Sequence, residues 1–140
     1  MIEFCIYGNP VAQARGRAKP FKKADGQLGA IVYDPQNAKE WKQLVRAQAV
    51  LHRRTAVGLI QGPIFLTLNF YLLRPKSLPK KVKHHIKRPD LDNLVKAVKD
   101  GLKGIIYRED SQVWSELAAK HYCNGTEPPR VEVVLEETEG

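Results

Sequence analysis

The sequence predicts an α+β fold in which a single small mixed β-sheet is flanked by two helices, in the order β-α-β-α-β-β. Short segments near both ends alternate apolar with polar side chains, which is the period of a β-strand. Two internal segments instead repeat their apolar residues at helical spacing. The chain has 140 residues and 43% hydrophobic content, enough for one core, so we expect residues 1–140 to form a single domain.

The first half of the chain predicts strand, helix and strand. Residues 2–7 alternate and predict the first strand. Asp34 and Pro35 are a typical N-cap and first-turn proline for a helix that should end before Gly58. Pro63 precedes the run IFLTLNFYLL, which is apolar on both faces and rich in strand-forming residues. We expect this strand to be central in the sheet.

The second half predicts one helix and two strands. In the segment KRPDLDNLVKAVKDGL, residues 87–102, apolar residues recur every three or four positions, so a helix is expected from about 91 to 104. The segment VWSELAAKHYC, residues 113–123, is ambiguous, because alanine favours a helix whereas aromatic and β-branched residues favour a strand. We interpret it as a strand. After the turn NGTEPPR, the alternation in RVEVVLEE predicts a final strand paired with its predecessor.

The charge distribution indicates a polyanionic partner. The net charge is +8 and the isoelectric point is about 9.6. Residues 74–88 contain seven cations and no acid: Arg74, Lys76, Lys80, Lys81, Lys83, Lys87 and Arg88. A second cluster, in a segment expected to be a surface loop, holds Arg15, Arg17, Lys19, Lys22 and Lys23. Solvated basic loops are the alternative, but two clusters and a net excess favour nucleic acid.

Other features exclude several classes of protein. The chain has no run of ~18 apolar residues that could span a membrane. The N-terminus carries Glu3 in a short alternating run, where a signal peptide would have a positive start and an apolar stretch. Cys5 and Cys123 are far apart and have no neighbouring metal-ligand spacing, so neither zinc nor a disulfide framework is indicated. We expect an intracellular protein.

Two aspartates stand one residue apart where the second helix should begin. Asp90 lies at or just before the N-cap, and capping of free backbone N–H groups would be sufficient to explain it. The same explanation does not account for Asp92. At 3.6 residues per turn, Asp92, Lys96 and Asp100 lie along one ridge, opposite much of the apolar stripe. An ion pair between Asp92 and Lys96 would be the purely structural interpretation of this ridge.

A further acidic pair, Glu109 and Asp110, follows the helix where the chain turns back toward a strand. A short return could bring Asp110 near Asp90 and Asp92. Three carboxylates that converge beside a basic surface repel each other unless a cation lies between them. Oxygen ligands select a hard ion, so the candidate is a Mg²⁺ site in which Mn²⁺ could substitute.

These residues resemble the RusA-type Holliday junction resolvases. The family signature has basic residues before D-L-D-N-L-x-K-x-x-x-D-x-L, then a turn and a short acidic pair before a Q-V strand, and residues 87–114 follow this order. The resemblance implies that Asp90, Asp92 and Asp110 are magnesium-binding catalytic carboxylates and that Lys96 is an essential nearby cation. Further matches to the signature, of less certain role, are Asn93, Asp100 and Glu109.

The resemblance also implies a homodimer that binds four-way junction DNA and nicks two opposing strands at equivalent positions, in the cytoplasm of a bacterium or as a phage product. The backbone of the DNA would then be held by Arg15, Arg17, Lys19 and the cations of residues 74–88. Two alternatives remain open at this point. One is a DNA-binding protein without catalysis, and the other is a general structure-selective nuclease that uses the same metal site.

Overall fold

The computed structural model describes residues 1–13, 17–22, 28–33, 36–55 and 58–140, the second and third of these ranges by their backbone alone. Within these ranges the chain forms six strands and two helices. In chain order the elements are β1 Ile2–Tyr7, β2 Arg17–Lys22, β3 Leu28–Tyr33, α1 Gln36–His52, β4 Ile64–Leu72, α2 Leu91–Leu102, a short 3-10 turn Asp110–Gln112, β5 Val113–Tyr122 and β6 Arg130–Glu137.

A four-stranded mixed sheet in the order β1-β6-β4-β5 organises the molecule. β6 is antiparallel to both β1 and β4, whereas β4 and β5 are parallel. The α+β class, the strand assignment of residues 113–122 and the interior position of β4 are therefore confirmed. The expected pairing of β6 with β5 is wrong. Because α2 carries the chain back along the sheet, β5 runs parallel to β4, and β6 instead fills the position between β1 and β4.

A separate antiparallel ribbon joins β2 to β3. The expectation of a surface loop is therefore wrong for residues 17–22. Pro20, which has no backbone N–H, pairs across this ribbon with Ala30. A two-stranded ribbon tolerates proline because each strand has one free edge. The predicted helix start at residues 34–35 lies outside the described residues, but α1 does begin at residue 36 and end before Gly58.

Both helices pack on one face of the sheet. In α2 the apolar stripe is buried as predicted, with Leu94, Val98 and Leu102 inaccessible to solvent. Gly101 allows α2 to approach α1 closely, since a Cβ atom at this position would lie 2.5 Å from Cγ1 of Val45. Burial of these aliphatic side chains contributes roughly 1.5–3 kcal/mol each. Among the described helices, none is long and apolar enough to cross a membrane.

The register of the sheet determines which side chains of the edge strand β5 face the helices. Leu66 and Leu68 of β4 are buried under the helices and pair with Glu116 and Ala118 of β5. Laterally paired residues of neighbouring strands point to the same face of a sheet. The side of β5 that faces α2 therefore carries Glu116, Ala118 and Lys120.

Candidate active site

A cavity of about 640 Å³ lies between α2 and β5. Its lining combines acidic and basic side chains from α2, the 3-10 turn and β5 with small and apolar side chains. The described residues that line it are Leu91, Asp92, Val95, Lys96, Lys99, Asp110, Glu116 and Ala118. The structure thus brings together three of the four catalytic residues expected from the sequence, namely Asp92, Lys96 and Asp110.

Asp92 and Lys96 stand one helical turn apart on the polar ridge of α2, and both are exposed. Within the described part of the chain no ion pair joins them, and Lys96 forms none with another residue there. The structure therefore does not support an i,i+4 ion pair as the reason for this spacing. Both side chains remain available to a ligand that enters the cavity.

Asp90 is the N-cap residue of α2 by position, because its backbone is extended and its carbonyl oxygen accepts the Leu94 N–H at 3.1 Å. Its side chain makes no capping hydrogen bond to the described N–H groups of the helix. The capping explanation considered for this aspartate is not what the structure shows. Asp90 is exposed, and the described residues that line the cavity do not include it.

Asp110 begins the 3-10 turn that precedes β5, and the side chain of Gln112 fixes this turn. Oε1 of Gln112 accepts the Arg108 and Glu109 N–H groups at 2.8 and 2.7 Å. Its Nε2 donates to the carbonyl oxygens of Ile60 and Gly62 at 2.8 and 3.0 Å. One amide thus makes two hydrogen bonds within the acidic turn and two that attach this turn to the segment before β4.

The hydroxyl group of Tyr107 lies 3.1 Å from Oδ1 of Asp110 and 3.1 Å from the carbonyl oxygen of Lys99. Tyr107 is fully buried. Burial raises the pKa of its phenol, and the neighbouring Asp110 carboxylate raises this pKa further. The phenol therefore remains protonated and acts as a hydrogen-bond donor.

Two charged residues of the cavity, Lys99 and Glu116, were not predicted from the sequence. Nζ of Lys99 lies 3.3 Å from Oε2 of Glu116, so an ion pair connects α2 to β5. The alternation of Glu116, Ala118 and Lys120 along β5 was a usable signal, because residues two apart share one face of a strand. Recognising that this face is the one beside α2 required the parallel register with β4.

The donors in the cavity fit a hard cation, since Asp92, Asp110 and Glu116 offer only carboxylate oxygens. Among the described residues, however, there is no group of three or more acidic, histidine or cysteine side chains close enough together to hold a metal ion. Mg²⁺ commonly takes only one or two protein carboxylates and completes its shell with water and substrate phosphates. Asp92 and Asp110 in a shared cavity match that mode of binding better than a complete protein cage.

The basic segment, residues 74–88, leads directly to this site. Nζ of Lys120 donates to the carbonyl oxygens of Lys87 and Pro89 at 2.8 and 3.0 Å, which ties the end of the segment to β5. Six of its cations are exposed and form no ion pair within the described part of the chain: Lys76, Lys80, Lys81, Lys83, Lys87 and Arg88. These side chains are accessible on a segment that ends shortly before α2.

Arg74, the remaining cation of the basic segment, is used internally. Its guanidinium group donates to the carbonyl oxygens of Val82 and Pro79 at 2.7 and 2.6 Å. It also lies over the ring of Tyr122, 5.2 Å from the centroid. Arg74 therefore stabilises the conformation of the basic segment.

A second cavity, of about 380 Å³, is lined by Arg74, Lys80 and Lys83 among other residues, and its described lining includes no acid.

The structure gives only partial information on the other cations predicted to bind DNA. Arg15 lies outside the described residues, and Arg17 and Lys19 lie on β2 without described side chains. The chain just before them passes the first turn of α2, because the N–H of Gln13 donates to the carbonyl oxygen of Asn93 at 2.9 Å. Gln13, the last described residue before the ribbon, therefore lies beside the start of α2.

Asp100 and Glu109 are associated with the end of α2. Asp100 is half-buried and is not among the described residues of the cavity. Its carbonyl oxygen lies 3.5 Å from Nη1 of Arg46, which also approaches other carbonyls at the C-terminal end of the helix. Glu109 forms an exposed ion pair with Lys103 at 3.3 Å. These contacts are structural, and the acids in the described lining of the cavity are Asp92, Asp110 and Glu116.

The α+β fold, the acidic cavity and the adjoining basic segment together define a candidate nucleic-acid hydrolase. A family model described as endodeoxyribonuclease RusA matches residues 7–136, and the chain belongs to this family. Membership indicates an enzyme that hydrolyses phosphodiester bonds within DNA. The chain is also similar to the uncharacterized protein YqaN of Bacillus subtilis (strain 168), with 37% identity over 146 aligned residues that cover 97% of this chain and 96% of the relative.

Proposed function

We propose that this protein is a magnesium-dependent endodeoxyribonuclease that resolves Holliday junctions by paired nicking of opposing strands, in DNA recombination and repair. The observation that carries the proposal is the shared cavity of Asp92, Lys96 and Asp110 at the end of an exposed basic segment, in a chain of the RusA family. A protein with a net charge of +8 attracts polyanions, and junction DNA is a polyanion.

Asp92 and Asp110 would hold the ion, as the described lining of the cavity allows, and Asp90, which lies outside that lining at the start of α2, would be the third carboxylate near the ion. Bound magnesium would polarise the phosphodiester and lower the pKa of bound water. Lys96, which stands free of an ion pair in the described structure, would lie against a phosphoryl oxygen and stabilise the negative charge that develops there. The exposed cations of residues 74–88, with Arg17 and Lys19 on β2, would position the DNA backbone.

A homodimer fits this function, because a four-way junction has approximate two-fold symmetry and an isologous dimer presents two equal sites. The sheet face opposite the helices supports an association of this kind. Tyr7, Trp114 and Leu117 are each about 60% exposed, at 61%, 62% and 61%. The register places Tyr7 and Leu117 on this open face, and the ring of Trp114 contacts that of Phe65 on the same side.

The function is tested by cleavage of matched synthetic substrates with Mg²⁺ and with EDTA. A four-way junction, a fork, a linear duplex and a single strand of the same sequences separate the candidate activities. We expect magnesium-dependent cuts at symmetric positions on opposing strands of the junction, and little cleavage of the duplex. Equal cleavage of all branched substrates would favour a general structure-selective nuclease. Tight junction binding without any cleavage would favour a non-catalytic DNA-binding protein.

A further inference from the structure

The phenol of Tyr107 contacts one of the candidate catalytic acids from behind. Its side chain is fully buried and is not among the described residues that line the cavity, so Tyr107 does not itself reach a bound substrate. Its backbone is also fixed, because its carbonyl oxygen accepts the Gly104 N–H at 2.7 Å and it forms isolated β-bridges with Ile60 and Lys103. The hydroxyl group therefore occupies a constrained position.

This hydroxyl has one proton and two neighbouring acceptors. The carbonyl oxygen of Lys99 already accepts the Lys103 N–H at 3.0 Å, as part of the end of α2. The other acceptor, Oδ1 of Asp110, belongs to a carboxylate, and charged acceptors form the stronger hydrogen bonds. The proton of Tyr107 is therefore donated mainly to Asp110.

We propose that Tyr107 is a positioning residue that holds Oδ1 of Asp110, so that the second carboxylate oxygen is presented to the cavity. The proposal rests on the proposed function, and it adds a residue that acts only through Asp110. Hydrogen bonds to a ligating carboxylate orient it and tune its affinity for an ion. In this arrangement Gln112 fixes the backbone of the acidic turn, whereas Tyr107 fixes the rotamer of the acid.

The test compares Tyr107→Phe with Phe70→Leu, which alters a fully buried aromatic side chain of β4 that is not among the described residues lining the cavity. Asp110→Asn and the Tyr107→Phe/Asp110→Asn double variant complete the set. Circular dichroism is used to check that each protein is folded before the measurements. The readouts are the Mg²⁺ concentration for half-maximal cleavage, the stabilisation of the protein by Mn²⁺ in thermal melts, and junction affinity in EDTA.

We expect Tyr107→Phe to raise the required metal concentration about 10- to 100-fold in both metal-dependent readouts, without a change in junction affinity. Phe70→Leu should match wild type in metal dependence and junction affinity, and Tyr107→Phe should add nothing to Asp110→Asn. A wild-type metal dependence in Tyr107→Phe, together with an inactive Asp110→Asn, would overturn this inference alone. Full cleavage by Asp110→Asn would overturn the proposed role of Asp110, and the inference with it.

Discussion

Lys99 and Glu116 form an ion pair with an N–O separation of 3.3 Å across the cavity that also contains Asp92, Lys96 and Asp110. The pair joins α2 to the edge strand β5. It also keeps a negative charge close to the position that the proposed function gives to a DNA phosphate. Glu116 therefore partly neutralises a cation that could otherwise contact the substrate.

Replacing Glu116 with glutamine should strengthen junction binding. The free Lys99 would add one cation to the cavity, while the loss of an ion pair with one exposed partner should cost at most ~1 kcal/mol of stability. We expect a several-fold gain in affinity at low salt that fades as salt screens the charges. Affinity measured by fluorescence anisotropy at two salt concentrations checks this. Glu40→Gln on α1 makes the same charge change elsewhere, and a loss of affinity specific to Glu116→Gln would contradict the prediction.

The contact between the helices depends on the absence of a side chain at Gly101. Gly101→Ala should lower the free energy of unfolding by about 1–3 kcal/mol, because the added methyl group would overlap Val45. This loss would appear despite the better intrinsic helix propensity of alanine. The free energy of unfolding is measured by urea denaturation for Gly101→Ala, Val45→Ala and the double variant. If the losses of stability in the two single variants simply add in the double variant, overlap with Val45 is not the cause of the loss in Gly101→Ala.

The salt dependence of binding distinguishes phosphate contacts from structural cations. Neutralising Lys80, Lys81 and Lys83 together should reduce the slope of log K against log salt by up to about 3, since each phosphate contact contributes ~0.9. Arg74→Met should weaken binding by loosening the segment, yet leave the slope nearly unchanged, because Arg74 is bonded to Val82 and Pro79. An unchanged slope in the triple variant would remove these lysines from the DNA interface.

The adjacent acids at the start of α2 should destabilise the metal-free protein. Asp90→Asn and Asp92→Asn should each raise the melting temperature in EDTA by about 1–4 °C, because they remove repulsion worth ~1 kcal/mol or less between exposed carboxylates. With ~10 mM Mg²⁺ the order should reverse, since the intact acids gain binding free energy from the ion. Melting below wild type in EDTA, with an unchanged response to magnesium, would assign both aspartates a purely structural role.

The local sequence predicts the site better than it predicts the sheet. The stripe of Leu94, Val98 and Leu102 determines which face of α2 is buried, and so places Asp92 and Lys96 on the opposite, accessible ridge. The position of β6 between β1 and β4 depends on pairings between residues far apart in the chain. Alternation within a strand contains no information on its neighbours, and for this reason the pairing with β5 was wrongly expected.

Features that depend on contacts between distant parts of the chain were not predicted from local amino-acid composition. Glycine, proline and cations in the segment that contains residues 17–22 are typical of a loop, yet backbone pairing makes these residues a strand of a ribbon. Glu116 looked like an ordinary strand residue, because its closeness to α2 follows only from the parallel β4–β5 register. The role inferred for Tyr107 likewise depends on a turn whose hydrogen bonds are not visible in the sequence.

In the proposed function, the acids around the cavity bind the metal ion for DNA cleavage, while separate cations bind the DNA. These two roles are separated by single-turnover cleavage of a synthetic four-way junction by Asp90→Asn, Asp92→Asn and Asp110→Asn, alongside junction affinity in EDTA. We predict that each variant loses nearly all magnesium-dependent cleavage while its affinity stays at or above that of wild type. Cleavage by any of the three variants at close to the wild-type rate would show that the replaced aspartate is not a catalytic metal ligand.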